Sequence, residues 1–374
     1  MSYEESDDED LDDYDLYPRR TSPKLNSSRS QGDDLYLSLF RQILFRNKPI
    51  SVNGIQYNVL EKIGSGKFSK IYKVFDDGNF YALKKIKYSS NLILENYKNE
   101  INLLQELQDE DKIINIIDSE INKEEKTILI LLELGDADLK TIIASQEKLT
   151  PNYLRYTLQQ MLEAVQIIHN KKIIHGNLKP SNFLMVKRTL KLIDFGFAKV
   201  IENDKTSTDF YQQYSSIQYG APESFSNKTQ FVKLGTSADV WSIGYILYEL
   251  VYGHSPFPTI GMQFSNERIN IKYDPLPNFP DFELLKNVMQ MCLQRNPKQR
   301  PSIEDLLFHP YIQQPTASFV SESLSIADNL GQLAKQIQRK YSDREFNCDV
   351  GHKILQRIAK DLTDGKPMII SPRA

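Results

Sequence analysis

The run His175-Gly176-Asn177-Leu178-Lys179-Pro180-Ser181-Asn182-Phe183 gathers the side chains of this 374-residue sequence that could act on a phosphoryl group. Asn182 offers a hard oxygen of the kind magnesium takes. So does Asp194, twelve residues further on in Asp194-Phe195-Gly196. Lys179 and Lys84 offer cations to phosphate oxygens, Lys84 closing the run Tyr81-Ala82-Leu83-Lys84. Moving a phosphoryl group is mostly a matter of positioning and of charge stabilisation, and these residues supply both. One part is missing. The proton of an attacking hydroxyl needs a base, and the run holds no carboxylate to take it; Asn177 is a neutral amide that takes no proton at ordinary pH.

Upstream, Ile63-Gly64-Ser65-Gly66-Lys67-Phe68-Ser69-Lys70-Ile71 suits a hairpin whose main-chain amides approach phosphates closely. Two glycines alone are a weak signal; the order of the downstream motifs strengthens it. Ser69 stands where a third glycine is usual and stiffens the loop. A Lys at a strand end is most often a solvated edge charge. Lys84, however, precedes a helical pattern (Leu94, Tyr97, Ile101, Leu104, Leu107) that carries Glu100 as an ion-pair partner, with Glu95 the partner in another register. An Asp-Phe-Gly triplet is also weak by itself. Just past the paired strand signals Leu184-Met185-Val186 and Leu190-Lys191-Leu192-Ile193, it becomes strong.

These residues need elements to hold them. Ile50 to Leu60 alternates apolar and polar residues around Asn53-Gly54, a strand-turn-strand signature. Ile128-Leu129-Ile130-Leu131-Leu132 reads as a buried strand that runs into a connector, Glu133-Leu134-Gly135. The connector's main chain would meet an adenine edge, with Leu132 at the back of the pocket. Asp138 could meet a ribose, or equally cap the next helix. Tyr153 to His169 has a helical apolar stripe (Leu154, Leu158, Met161, Leu162, Val165, Ile168) that builds core. Glu223 of Ala221-Pro222-Glu223 is expected to pair with Arg300, and Asp239 of Asp239-Val240-Trp241 to hold main-chain amides; both are structural roles. His309 ends a helix and has no second His or Cys at metal-ligand spacing.

The ends differ in composition. Nine acidic residues lie between Glu4 and Asp15, so residues 1–34 read as an acidic disordered tail. A solubilising role is the simpler reading; docking or phosphorylation at Ser6 or Ser22 is the alternative. Residues 35–49 suggest a short helix and linker, residues 50–312 the folded domain, and residues 313–374 a C-terminal helical extension with two amphipathic patterns. The bland account of that extension is a helical pair packed on the domain, and a partner-binding segment is the other. A net charge of −3 and a pI near 6.0 give no case for a nucleic-acid or membrane surface. Cys292 and Cys348 alone make no disulfide framework and fit a reducing compartment. No apolar run approaches the ~20 residues that span a bilayer. The acidic N-terminus resembles no signal or transit peptide, and an intracellular protein of cytoplasm or nucleus is expected.

Taken together, these motifs resemble the eukaryotic protein kinases. Within them the resemblance is to the monopolar-spindle (TTK) family of mitotic-checkpoint kinases. It rests on Ile50-Ser51-Val52-Asn53-Gly54, on Gly64-Ser65-Gly66 followed by Ser69-Lys70, and on Tyr97-Lys98-Asn99-Glu100-Ile101. Met161-Leu162-Glu163-Ala164-Val165, Leu178-Lys179-Pro180-Ser181-Asn182-Phe183-Leu184 and Leu190 to Gly196 add to it. The resemblance implies an α+β, two-lobed fold with a small β-rich lobe carrying one main helix and a larger, mainly helical lobe. It implies ATP and Mg2+ between the lobes and a protein Ser/Thr, or dual, substrate or a protein partner. The nucleotide would meet Ile63, Gly64, Ser65, Gly66, Ile71, Ala82, Lys84, Glu133, Leu134, Gly135, Asp138 and Leu184. Asn182 and Asp194 would hold the metal; Lys84, Glu100, Lys179 and Asn177 occupy the catalytic positions. Phe197 to Tyr219 matches the activation segment. Within it Thr206, Ser207 and Thr208 match an autophosphorylated cluster, and Ser216 matches a Thr of the substrate-facing loop. Kinetochore or spindle-pole localisation is implied too, although family members usually carry a long N-terminal targeting region and only the residues before Ile50 precede the domain here. Two further departures are shared with the family: Ser69 for the third glycine, and Gly176 for an Arg that in many kinases grips a phosphorylated loop. Asn177 is the disruptive one. It favours nucleotide binding with weak or absent phosphotransfer, against an active kinase that tolerates the amide.

Overall fold

The computed structural model of the chain describes residues 47–66, 68–145, 149–202, 205–211, 218–225, 230–258, 271–276, 279 and 281–314. Expectations for residues 1–34, for most of 35–49, for Ser216 and for nearly all of 313–374 lie outside these residues.

The alternating run at Ile50 folds into β1 (Ile50–Val52) and β2 (Ile55–Ser65), joined by Asn53 and Gly54 with φ of 49° and 86°. This is the turn handedness that matches strand twist. Asn53 is also pinned from outside the hairpin, donating its N–H to Glu120 Oε2 at 2.6 Å and its amide to Asp118 Oδ1 at 2.8 Å. With β3 (Ser69–Asp76), β4 (Asn79–Lys87), β5 (Ile116–Asn122) and β6 (Thr127–Glu133) they form an antiparallel sheet in the order β1-β2-β3-β4-β6-β5. Helix α1 (Asn91–Glu106) lies between β4 and β5 in the chain and starts where Ser90 accepts the N–H of Ile93.

The period of two along a strand then decides which way the chemistry faces. Leu83, Leu129 and Leu131 pack with Val52, Tyr57, Val59 and Val74 on one face of the sheet. Ile86, Ile128 and Ile130 belong instead to the cluster that holds Leu94, Ile101 and Leu104 of α1. Lys84, two residues before Ile86 and opposite Ile130 in register, therefore faces α1.

The rest is mainly helical. After β7 (Ala137–Asp138) come α2 (Leu139–Ala144), α3 (Pro151–Asn170), β8 (Ile173–Ile174), β9 (Phe183–Val186) and β10 (Thr189–Leu192). Next are β11 (Lys199–Val200), β12 (Thr208–Tyr211), β13 (Phe231–Leu234), α4 (Ser237–Tyr252), α5 (Phe282–Cys292), α6 (Ile303–Leu307) and α7 (Pro310–Gln313). Thr150 caps α3 and Pro151 opens it, and all six residues of its apolar stripe are buried. Helix α4 is buried on every side from Ala238 to Tyr248, so it fixes positions around it. The three-stranded β7–β9–β10 sheet and the β8–β11 pair bracket the run from His175 to Asn182.

Candidate active site

Lys84 and Glu100 meet as the helical register requires: Nζ donates to Oε1 at 2.7 Å, with 9% and 1% of the two residues exposed. Glu95 is instead on the outer surface, paired with Lys98. Asp194 Oδ1 approaches Lys84 Nζ to 3.8 Å, so one ammonium faces two carboxylates. Burial disfavours that ammonium, yet Glu100 and Asp194 together carry Lys84 above its ordinary value and keep it charged. Glu100 answers in the other direction. Its burial lifts the carboxyl to about 6, Lys84 opposing and Asp194 reinforcing the rise. Burial pushes Asp194 upward too, but Lys84 and Lys179 outweigh it and leave this carboxyl below its usual value.

Asp194 is held at φ 67°, a left-handed conformation that costs a non-glycine residue about 1–3 kcal/mol and persists only where its surroundings impose it. Those surroundings are visible. Phe195 is fully buried against the His175 ring, 5.5 Å between centroids. Asn99 of α1 donates its amide to the carbonyls of Phe195 (3.4 Å) and Ala198 (3.0 Å). Asn99 thus grips the residues after this turn, while its neighbour Glu100 holds the Lys84 that faces Asp194.

The catalytic run is fastened to α4. Asp239 accepts from the main-chain N–H of His175 and of Gly176, both at 2.9 Å, and lies 2.9 Å from His169 Nε2. Burial would raise its carboxyl; the His169 hydrogen bond and neighbouring groups more than offset that and hold it low. Asn177 is buried, and its N–H points to His175 Nδ1 at 3.3 Å. Asn182 donates its amide to the Asn177 carbonyl at 3.0 Å, while its own carbonyl accepts from Ile193. That donation leaves the Asn182 side-chain oxygen as the atom a cation could use. Among the described residues no group of three or more His, Cys, Asp or Glu could hold a metal. A magnesium ion would therefore rely on Asn182, Asp194 and phosphate oxygens.

The residues expected to meet a nucleotide lie on or next to β2, β3, β4 and β9, at the end of β6 and in the segment after it. Gly64 and Ser65 lie on β2, and Ile71 on β3 lies against Gly64. Gly66 N–H donates to the Ser69 carbonyl at 2.8 Å, closing the hairpin tip. Ile63 is exposed. Ala82 pairs with Leu132. Gly135 packs so closely on Leu184 that a Cβ there would stand 2.4 Å from Cδ2. Two side chains have other work. Glu133 Oε1 accepts from the Asn115 N–H (2.8 Å) and from Lys191 (2.5 Å), and the Glu133 N–H donates to the Asn115 carbonyl (3.0 Å), so both parts of this residue serve the packing of the strand end. Asp138 caps α2, accepting from the N–H and hydroxyl of Thr141; of the two readings of this residue, the cap is the one observed. Thr206 is exposed, and Thr208 lies on β12.

Three contributors escaped sequence reasoning. The Tyr97 ring lies 5.0 Å from Lys84 Nζ, a cation–π contact from one turn before Glu100. Its place in the helical pattern, three residues before Glu100, was the signal for its position, though not for a contact with Lys84. Asn99 and Lys191 stood in quoted motifs, but nothing there pointed to their partners, which lie far along the chain.

Residues 57–312 match the protein kinase domain family, and the chain belongs to that family. The sheet with its single helix and the helical part after it are the two lobes of that α+β fold. Within the family the similarity is to the TTK/Mps1 kinases. The chain is 41% identical over 283 residues to the probable serine/threonine-protein kinase mps1 of Dictyostelium discoideum, covering 70% of this chain and 28% of the relative. It is 37% identical over 332 residues to the dual specificity protein kinase Ttk of Danio rerio, covering 83% and 33%. It is 35% identical over 304 residues to the serine/threonine-protein kinase mph1 of Schizosaccharomyces pombe, covering 73% and 45%. The chain spans less than half the length of these relatives.

Proposed function

We propose that this TTK-like kinase domain binds Mg-ATP between its lobes and that Asn177 holds phosphotransfer to protein Ser/Thr hydroxyls at a weak or vanishing level. The observation that carries the reading is the assembled charge cluster, Lys84–Glu100 at 2.7 Å and Lys84–Asp194 at 3.8 Å, beside a neutral amide at the base position. Lys84 would neutralise phosphate oxygens, and Asn182 and Asp194 would hold magnesium, which supplies charge neutralisation at the transferring group. The Asn177 amide oxygen can accept a hydrogen bond from an incoming hydroxyl and so orient it, but the proton must leave by another route. Loss of a positioned base lowers the rate by about 10²–10⁴-fold.

The acceptor class, protein Ser/Thr, is inferred from the relatives' names, and a place at kinetochore or spindle pole from the family resemblance alone. A second reading, an active Ser/Thr or dual-specificity kinase of the spindle checkpoint, draws on the same cluster: a site this well aligned supports some transfer without its base.

Label transfer from Mg-ATP by the wild-type chain, Asn177→Asp and Lys84→Met separates them. We expect Asn177→Asp to raise transfer by about 10²–10⁴-fold with nucleotide affinity unchanged. Robust labelling by the wild type that Lys84→Met abolishes establishes the active reading instead.

A further inference from the structure

Gly176 precedes the base position directly, and its surroundings are unusual. It has φ +70°, and a Cβ there would lie 2.3 Å from Phe210 Cε1 and 3.0 Å from Cδ1 and Cζ. The Phe210 ring therefore rests on the main chain of the catalytic run, with no room for a side chain between. Phe210 is 6% exposed and belongs to an apolar cluster with Ile174, Val232, Leu234 and Trp241. Its strand β12 pairs with β13, Phe210 opposite Val232. On the ring lies a cation: Lys199 Nζ is 5.3 Å from the centroid and donates to the Asp209 carbonyl. The ring's seat is rigid, because Gly176 N–H is bonded to Asp239.

Kinase activation loops are commonly ordered by a phosphate that pairs with Arg. Here the position next to the base has no side chain, and the nearby cation faces the negative surface of an aromatic ring. We propose that Phe210 is a positioning residue that latches the activation segment onto the catalytic run without any phosphate. The ring fills the space over Gly176, Lys199 caps it, and β13 holds the strand that carries it. Gly176 is then required for two reasons, the left-handed backbone and the ring. The latch is independent of whether Asn177 permits phosphotransfer, so its test uses no activity.

Hydrogen exchange of the full chain reads the latch at amides 208–211 and at 173–183. The comparison includes wild type before and after phosphatase treatment, Phe210→Leu, Phe210→Ala and Lys199→Met. Expected is exchange at 208–211 faster by about tenfold or more in Phe210→Ala, a smaller rise in Phe210→Leu and Lys199→Met, and no change on dephosphorylation. Unchanged exchange in both Phe210 variants overturns the proposal. So does a release on dephosphorylation as large as that in Phe210→Ala. Protection of α4 serves as the folding control. If Phe210→Ala loses it, Phe210→Leu decides by the same criteria.

Discussion

Gly135 illustrates how much a single hydrogen in place of a methyl can decide. The segment after β6 passes close to Leu184, on β9. The added Cβ would come within 2.4 Å of Leu184 Cδ2 and 2.5 Å of Cγ. Because Cγ is near the stem of the side chain, rotation alone does not clear it; either the connector or β9 must shift. Overpacking of this kind costs about 1–3 kcal/mol. Gly135→Ala should therefore weaken Mg-ATP binding by roughly tenfold or more, each 1.4 kcal/mol being a factor of ten. Calorimetric titration measures it, and Gly135→Ala with Leu184→Ala should recover most of the loss. Equal affinity in wild type and Gly135→Ala would show that the close approach does not bear on nucleotide binding. The same scale governs Asn177, where an amide in place of a carboxylate removes the proton acceptor, while its main chain is held by His175 Nδ1 and by the Asn182 amide.

At the scale of elements, α1 is the part that links Lys84 of the sheet to the turn around Asp194, through Glu100 on Lys84 and Asn99 on the carbonyls of Phe195 and Ala198. The link is sensitive to pH. Burial sets the Glu100 carboxyl at about 6, above the 4.5 of the free group. A folded-state value above the unfolded one means that falling pH, between about 6 and 4.5, favours the folded state as far as this group is concerned. Glu100 therefore causes no unfolding in that window. The loss is of the charge that holds Lys84 to α1. Mg-ATP affinity should fall as pH drops below about 6, by at most about tenfold per unit for one linked proton. The nucleotide's own titration is common to wild type and Glu100→Gln, so the difference between their profiles isolates Glu100; parallel profiles would remove it from the linkage. Lys84, Glu100, Asp194 and the α3 stripe were legible in the sequence because each derives from local periodicity or motif order. The side-chain direction of Glu133, the choice of Asp138 for a cap, and the seat of Phe210 on Gly176 were not. Each depends on a partner brought in from another segment, which no local pattern encodes.

For the molecule as a whole, the site stands on α4, and α4 is tied down at its start by Arg300. The guanidinium makes a two-point pair with Glu223, at 2.6 and 2.8 Å, and also donates to the carbonyls of Ser237, Gln294 and Arg295. It further lies 5.1 Å from the Trp241 ring centroid. Removing one partner of a buried pair costs about 3–5 kcal/mol. In a domain of this size each kcal/mol lowers Tm by about 2–4 °C, so Arg300→Ala should melt roughly 6–20 °C lower by calorimetry. The loss should reach the other end of the helix packing as well. Cys292 on α5 lies against Gly244 of α4, where an added Cβ would be 2.4 Å from its own Cβ, and burial pushes its thiol up to about 12. In the native protein that thiol is shielded and protonated, hence unreactive at neutral pH. Alkylation of Cys292, mapped by peptide mass to distinguish it from Cys348, then reports separation of α4 from α5. Arg300→Ala should raise its rate well below the melting temperature. An unchanged rate alongside a lowered Tm would mean that α4 and α5 stay packed until the whole domain unfolds, and that Arg300 supports global stability without governing the local seat of the catalytic run.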